Sequence, residues 1–181
     1  MKNNLRFFSF IITSSLLILM GCTVTRHIKP QEYGLDPRVL KPLRGNVPIQ
    51  VLVPENAERN YRMENNKAKN VNLLIDLNDL YKHAKELMEE TLVKYKVPLS
   101  PGAEKYIKFT ISKVEWGNWG GGFVAGAYLE FDVETGDGYK RHYKVQDQSA
   151  QNWERAVGAT NSRAVEKIFQ DEKIIAYIES Q

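Results

Sequence analysis

The sequence predicts an α+β fold: an antiparallel-rich sheet of about five strands with two main helices packed on one face, in the order ββαβββα. Three observations carry it. Residues 76–97 repeat apolar side chains at three- and four-residue steps, which is helical spacing. Residues 105–116, 123–134 and 139–147 alternate apolar with polar side chains, which is strand spacing. The end of the chain returns to helical spacing. Alternation with one polar face marks a sheet covered on one side only, and helices are the usual cover.

The elements follow in order. Residues 23–46 hold Pro30, Pro37, Pro42 and two glycines without apolar periodicity, so they predict an extended tether. "VPIQVLVP" alternates and is rich in branched residues, a strand that stops at Pro54. Residues 55–70 are polar and predict a loop; "VNLLI" predicts a short second strand. The first helix carries Leu77, Leu80, Tyr81, Ala84, Leu87, Met88, Leu92 and Tyr95 on one face. Asp76 or Asn78 can cap it, and Pro98 and Pro101 are expected to end it.

Three strands come next. Ile107, Phe109 and Ile111 share one face of the first. In the second, Phe123, Ala125, Ala127, Leu129, Phe131 and Val133 point one way, while Tyr128, Glu130 and Asp132 point the other. Gly136-Asp137-Gly138 predicts a tight turn, after which Tyr139, Tyr143 and Val145 point inward. The C-terminal part reads as a turn at Trp153, Ala156 and Val157. After Gly158 comes a helix capped by Asn161 or Ser162, then a last short helix capped by Asp171.

The first residues predict a compartment. Lys2 and Arg6 form a positive start, residues 7–20 an apolar run, and Leu19-Met20-Gly21-Cys22 an ending that resembles the lipobox of bacterial lipoproteins. The run is short for a bilayer span, which needs roughly 20 residues. Cys22 is the single cysteine of the chain and has no disulfide partner within it. The expected organisation is therefore a signal peptide over 1–21, a lipidated Cys22 with a tether over 22–46, and one periplasmic domain over 47–181. Position 23 is Thr and not Asp, which resembles an outer-membrane address. The formal charge is +3, and +1 once Lys2 and Arg6 leave with residues 1–21, which hold no acid. So near-neutral a chain makes no electrostatic case for nucleic acid.

"VEWGNWGGGFVAGAY" raises the question of a phosphate loop. Such a loop opens a helix and is followed by Lys. Here a strand pattern follows Gly122, and residues 117–122 contain no Lys, Ser or Thr. The stretch therefore predicts a hairpin tip. Trp119, followed by glycines, is expected to be exposed and to touch a partner, with Phe123 and Tyr128 beside it. Trp116 either covers the edge of the core or joins that surface.

Catalytic constellations are not found in the sequence. His27, His83 and His142 show no metal-ligand spacing and are expected on the surface. Glu89-Glu90 and Asp171-Glu172 are sequence neighbours, which do not share a helix face. Neither a Gly-x-Ser-x-Gly motif nor a Cys–His pair is present. No cofactor and no metal are expected, and no enzymatic activity.

The lipobox, the tether, "VNLLIDLNDLYKHAKELMEETLVKY", "YIKFTISKVEW" and "AVEKIFQDEKIIAYIES" together resemble the YajG-type small lipoproteins of Gram-negative envelopes. The matching pieces are Asp76-Leu77 with Leu80, and Asp171 with Ile174 and Ile178. The resemblance implies a compact, lipid-anchored periplasmic domain without an established reaction. By fold-level analogy, small folds of this kind also occur in lipoproteins that activate envelope synthases or assist transport machines. Two functions follow as expectations. One is an envelope accessory protein that docks a protein or polymer through a sheet face or the 116–123 tip. The other is a carrier of an apolar ligand held between helices and sheet, with Ala125 and Ala127 leaving the room.

Overall fold

In the computed structural model, residues 23–65, 70–119 and 124–181 are described, apart from the side chain of Trp119. Residues 1–22, on which the expected signal peptide and lipidation site fall, and residues 66–69, 120–122 and Phe123 lie outside them.

The fold is α+β, built, among the described residues, from two sheets and three helices. The strands are β1 (Val24–Ile28), β2 (Ile49–Leu52), β3 (Tyr61–Arg62), β4 (Val71–Ile75), β5 (Lys105–Trp119), β6 (Val124–Thr135) and β7 (Lys140–Ser149). The helices are α1 (Leu77–Lys94), α2 (Trp153–Ile168) and α3 (Glu172–Glu179). One sheet has the order β1-β4-β3 and the other β2-β5-β6-β7. The single sheet of about five strands expected from the sequence is therefore divided, and its pairing is mixed. The β1–β4 and β2–β5 pairs are parallel, while β3–β4, β5–β6 and β6–β7 are antiparallel.

The division follows from β5. Its first residues, Lys105–Lys108, pair with β2. Further along, the Glu64 amide donates to the Val114 carbonyl at 2.9 Å, and the Trp116 amide donates to the Glu64 carbonyl at 3.0 Å. One edge of β5 thus serves two partners in turn. Between them the register with β6 shifts at Ile111/Lys113. The extra residue moves the buried set from Ile107, Phe109 and Ile111 to Val114 and Trp116, so both halves still face the core.

Helix α1 starts where the Asp76 side chain accepts from the Asn78 amide at 2.8 Å. It ends in a Schellman motif: the Lys96 amide donates to the Val93 carbonyl, and the Val97 amide to the Leu92 carbonyl, each at 2.9 Å. Lys96 takes φ 62 there, a conformation that costs an L-residue energy. The stop therefore precedes Pro98 and does not need it.

Helix α2 corrects the expected break at Gly158. Asn152 caps it by accepting from the Arg155 amide at 2.9 Å, and the helix runs unbroken to Ile168. Gly158 is required because a Cβ there would overlap the backbone of Gln31. Asn161 and Ser162, expected as caps, are buried within the helix. Asp171 does cap α3, accepting from the amides of Lys173 at 2.8 Å and Ile174 at 3.3 Å.

The expected tether is also corrected. Residues 24–28 form β1, and the segment after it is strapped across α2 and α3. The Gln31 amide donates to the Glu154 carbonyl at 3.0 Å, Ser162 Oγ to the Tyr33 carbonyl at 2.8 Å, and the Asp36 amide to Glu166 Oε1 at 2.8 Å. Ile28 and Leu43 are buried in the core. The physical reason is that α2 and α3 present buried polar groups and small residues that a neighbouring chain can satisfy, and sequence periodicity does not register such contacts.

The core lies between the helices and the larger sheet. Phe131 packs on Phe109 and on Tyr143, with ring centroids 5.1 Å apart in both pairs, and Tyr81 meets Phe109 edge-on at 6.1 Å. Helices α1 and α2 meet over His83, which is 8% exposed and lies 3.4 Å from Asn161 Nδ2. His83 is thus an interhelical residue and not the solvated one expected, because α2 covers that side of α1.

Candidate functional site

The inner face of the larger sheet is covered by helices; among the described residues, no helix covers its outer face. That outer face has a regular charge pattern. In the central strand β6, Glu130, Asp132 and Glu134 point outward. Flanking β5 supplies Lys108 and Lys113, and flanking β7 supplies Lys140, His142 and Lys144. Acids in the middle strand thus stand between bases on both sides, and Glu115 adds one acid to β5.

The pairs close across the strands. Lys144 Nζ is 2.7 Å from Glu130 Oε1, and Lys140 Nζ is 3.1 Å from Glu134 Oε2. His142 Nδ1 is 2.9 Å from Asp132 Oδ1. Lys113 Nζ is 2.8 Å from Glu115 Oε1 and 3.1 Å from Glu64 Oε2. The Lys144 hydrogen bond holds the Glu130 carboxyl below its ordinary range, and Lys140 does the same for Glu134. In return Glu130 raises Lys144. An open depression of about 370 Å³ lies on this face, lined by Lys108, Thr110, Asp132, Glu134, Lys140 and His142. Exposed pairs of this kind contribute little stability, so the face is not explained by folding energy alone.

A second feature is Asp171, at the junction of β7 and α3. Its Oδ2 accepts from Tyr143 Oη at 2.6 Å, Tyr139 Oη at 3.0 Å and Arg141 Nη1 at 3.1 Å. Burial works against ionisation there, but these donors and the Ile174 and Lys173 amides outweigh it and hold the carboxyl below its ordinary value. Burial and the Asp171 charge push the Tyr143 hydroxyl far up. Five donors occupy the carboxylate, which leaves it no free lone pair to take a substrate proton. It acts as a clamp between sheet and helix.

The predicted contact residues separate. Trp116 is buried: it is 5% exposed and meets the Trp153 ring edge-on at 5.3 Å. It belongs to the core edge and is withdrawn from the contact surface, because the register shift in β5 turns it inward. Tyr128 is on the outer face, with Lys144 Nζ 5.2 Å from its ring centre. The backbone of Trp119 closes β5 opposite Val124; its side chain and Phe123 lie outside the described residues. Ala127, which a ligand slot would use, sits under α2, where Thr160 Oγ1 donates to its carbonyl at 3.3 Å. The sequence alternation already offers Glu130, Asp132, Glu134, Lys108, Lys140 and Lys144 as pairs across an outer sheet face; the register adds which acid meets which base. Among the described residues no group of three or more His, Cys, Asp or Glu could hold a metal.

No family profile matches the sequence, and no curated protein matches it. A crystal structure of a DUF330 protein from Xanthomonas campestris is similar in fold, with a TM-score of 0.51 and 11% identity. The similarity covers 84% of this chain and 94% of that one. At this identity the likeness concerns the fold alone.

Proposed function

We propose that the chain is a lipid-anchored, non-enzymatic accessory protein of a bacterial envelope, similar to the YajG-type lipoproteins. It is attached to the outer membrane through Cys22, faces the periplasm, and docks a protein or envelope polymer through the outer face of the larger sheet. The observation that carries this reading is the bare face itself. Strands of 15, 12 and 10 residues present it, the described helices cover only the other side, and its charges are arranged strand by strand. A partner that matches a basic–acidic–basic order is selected by complementarity, and wrong partners meet like charge. The lipobox ending at Cys22 supports the anchor.

Two experiments test it. A clickable fatty-acid label is fed to cells expressing the chain or its Cys22→Ala variant; the reading expects label on the first and none on the second. A photo-crosslinking residue is then placed at Thr110 on the outer face and, separately, at Val93 on the exposed side of α1. One dominant product from position 110, absent from position 93, is expected. Equal capture from both positions, or none from either, removes the docking face.

A further inference from the structure

The registers place several strand ends together. Val24 pairs with Val71, so β1 and β4 start side by side. Arg62 pairs with Leu74 and the Met63 amide donates to the Leu73 carbonyl, so the chain after β3 runs back toward Val71. Glu64 joins Val114 and Trp116, and Asn65 Nδ2 donates to the Trp116 carbonyl at 2.8 Å. The end of β5 therefore lies beside the start of β1, and Trp119 and Val124 close the hairpin at that same end. Asn70 and Asn118 are exposed there. Val24, 57% exposed, is one of the large apolar side chains that the described surface leaves in water.

The length of chain beyond this end is short. Only Thr23 separates Cys22 from β1, which begins with the Val24 amide donating to the Asn70 carbonyl at 2.9 Å. The residues that follow offer no slack, since Arg26 is paired with Glu154 at 2.6 Å and the strap from Gln31 onward is bonded to α2. Two extended residues span about 7 Å. A lipid on Cys22 would thus draw the whole domain down with it.

We infer that the domain docks end-on against the lipid bilayer. Val24, Asn70 and Asn118 meet the headgroups, and the turn at Asp137 points away by the length of β6, roughly 40 Å. The inference rests on the anchor proposed above. Its consequence is that the outer sheet face stands upright on the membrane, with β7 as an edge open to the periplasm.

The test uses the lipidated full-length chain in vesicles of phosphatidylethanolamine and phosphatidylglycerol that carry a nitroxide-labelled lipid. Cys22 is the only native cysteine, so the variants Asn70→Cys, Asn118→Cys and Asp137→Cys each accept one fluorophore. Loss of most of the fluorescence at positions 70 and 118, with none at 137, is expected. A long Gly/Ser insert between Thr23 and Val24 should restore the lost signal. A chain that floats with the vesicles yet shows no quenching at 70 and 118 overturns the docking alone. A chain that does not float overturns the anchor and the docking with it.

Discussion

The backbone of Gln31 lies where the side chain of any residue other than glycine at position 158 would have to go. This close approach joins the N-terminal strap to the middle of α2. It makes Gly158 a packing residue, although glycine inside a helix costs about 1 kcal/mol relative to alanine.

Gly158→Ala therefore has a diagnostic sign. Helix propensity alone predicts a gain of stability; the overlap with Gln31 predicts a loss of about 2 kcal/mol, in the range of overpacked cores. Urea unfolding measures the sign. Limited proteolysis should in addition find new cleavage between Lys29 and Arg44 in the variant, as the strap lifts from the helix.

Asp171→Asn removes the charge that Tyr143, Tyr139 and Arg141 converge on, and weakens the cap of α3. A loss of about 2–3 kcal/mol is expected from the cap and the charge-assisted bonds together. Arg141→Gln should cost much less, because that side chain is more than half exposed. Chemical denaturation of the two variants checks the order.

Acid should destabilise the protein. Asp171 has a folded value below its ordinary 3.8, and Glu130, Glu134 and Asp137 are likewise lowered. A depressed carboxyl contributes stability that is present above its unfolded value and is lost as pH falls through the folded one. The expected profile is flat from neutral pH down to about 4 and falls steeply below it. Thermal melts across that window measure it, and Asp171→Asn should flatten part of the fall.

Lys96 holds the left-handed position of the Schellman motif at the end of α1. Lys96→Gly removes a backbone penalty of about 1–2 kcal/mol, partly offset by the greater freedom of glycine in the unfolded chain. A net gain of about 1 kcal/mol is expected, read as a higher melting temperature. An unchanged or lower value would mean that the Lys96 side chain contributes contacts of its own.

Lys144→Glu separates docking from folding. It places a like charge beside Glu130 and Glu115 on the outer face. Stability should change by less than about 1 kcal/mol, since the site is exposed. Capture of the partner from position 110 should fall sharply. A large stability loss with unchanged capture would assign these charges to folding.

Local pattern and chemistry determined much of this protein. The period of α1, the inward set of β6, the turn before Tyr139 and the Asp171 cap all follow from near neighbours in the chain. Such features are set by 3.6- and 2-residue geometry and by side chains reaching one turn away. Tertiary structure alone decided the rest. Only the shift in β5 turns Trp116 inward, only the strap explains Gly158, and only the packing of α2 on α1 buries His83. The pairing of β5 with both β2 and Glu64 divides the sheet, and the registers bring the start of β1 to the hairpin end. These are relations between residues far apart in sequence. They depend on which elements meet and in what register, and no periodicity within one element records that choice.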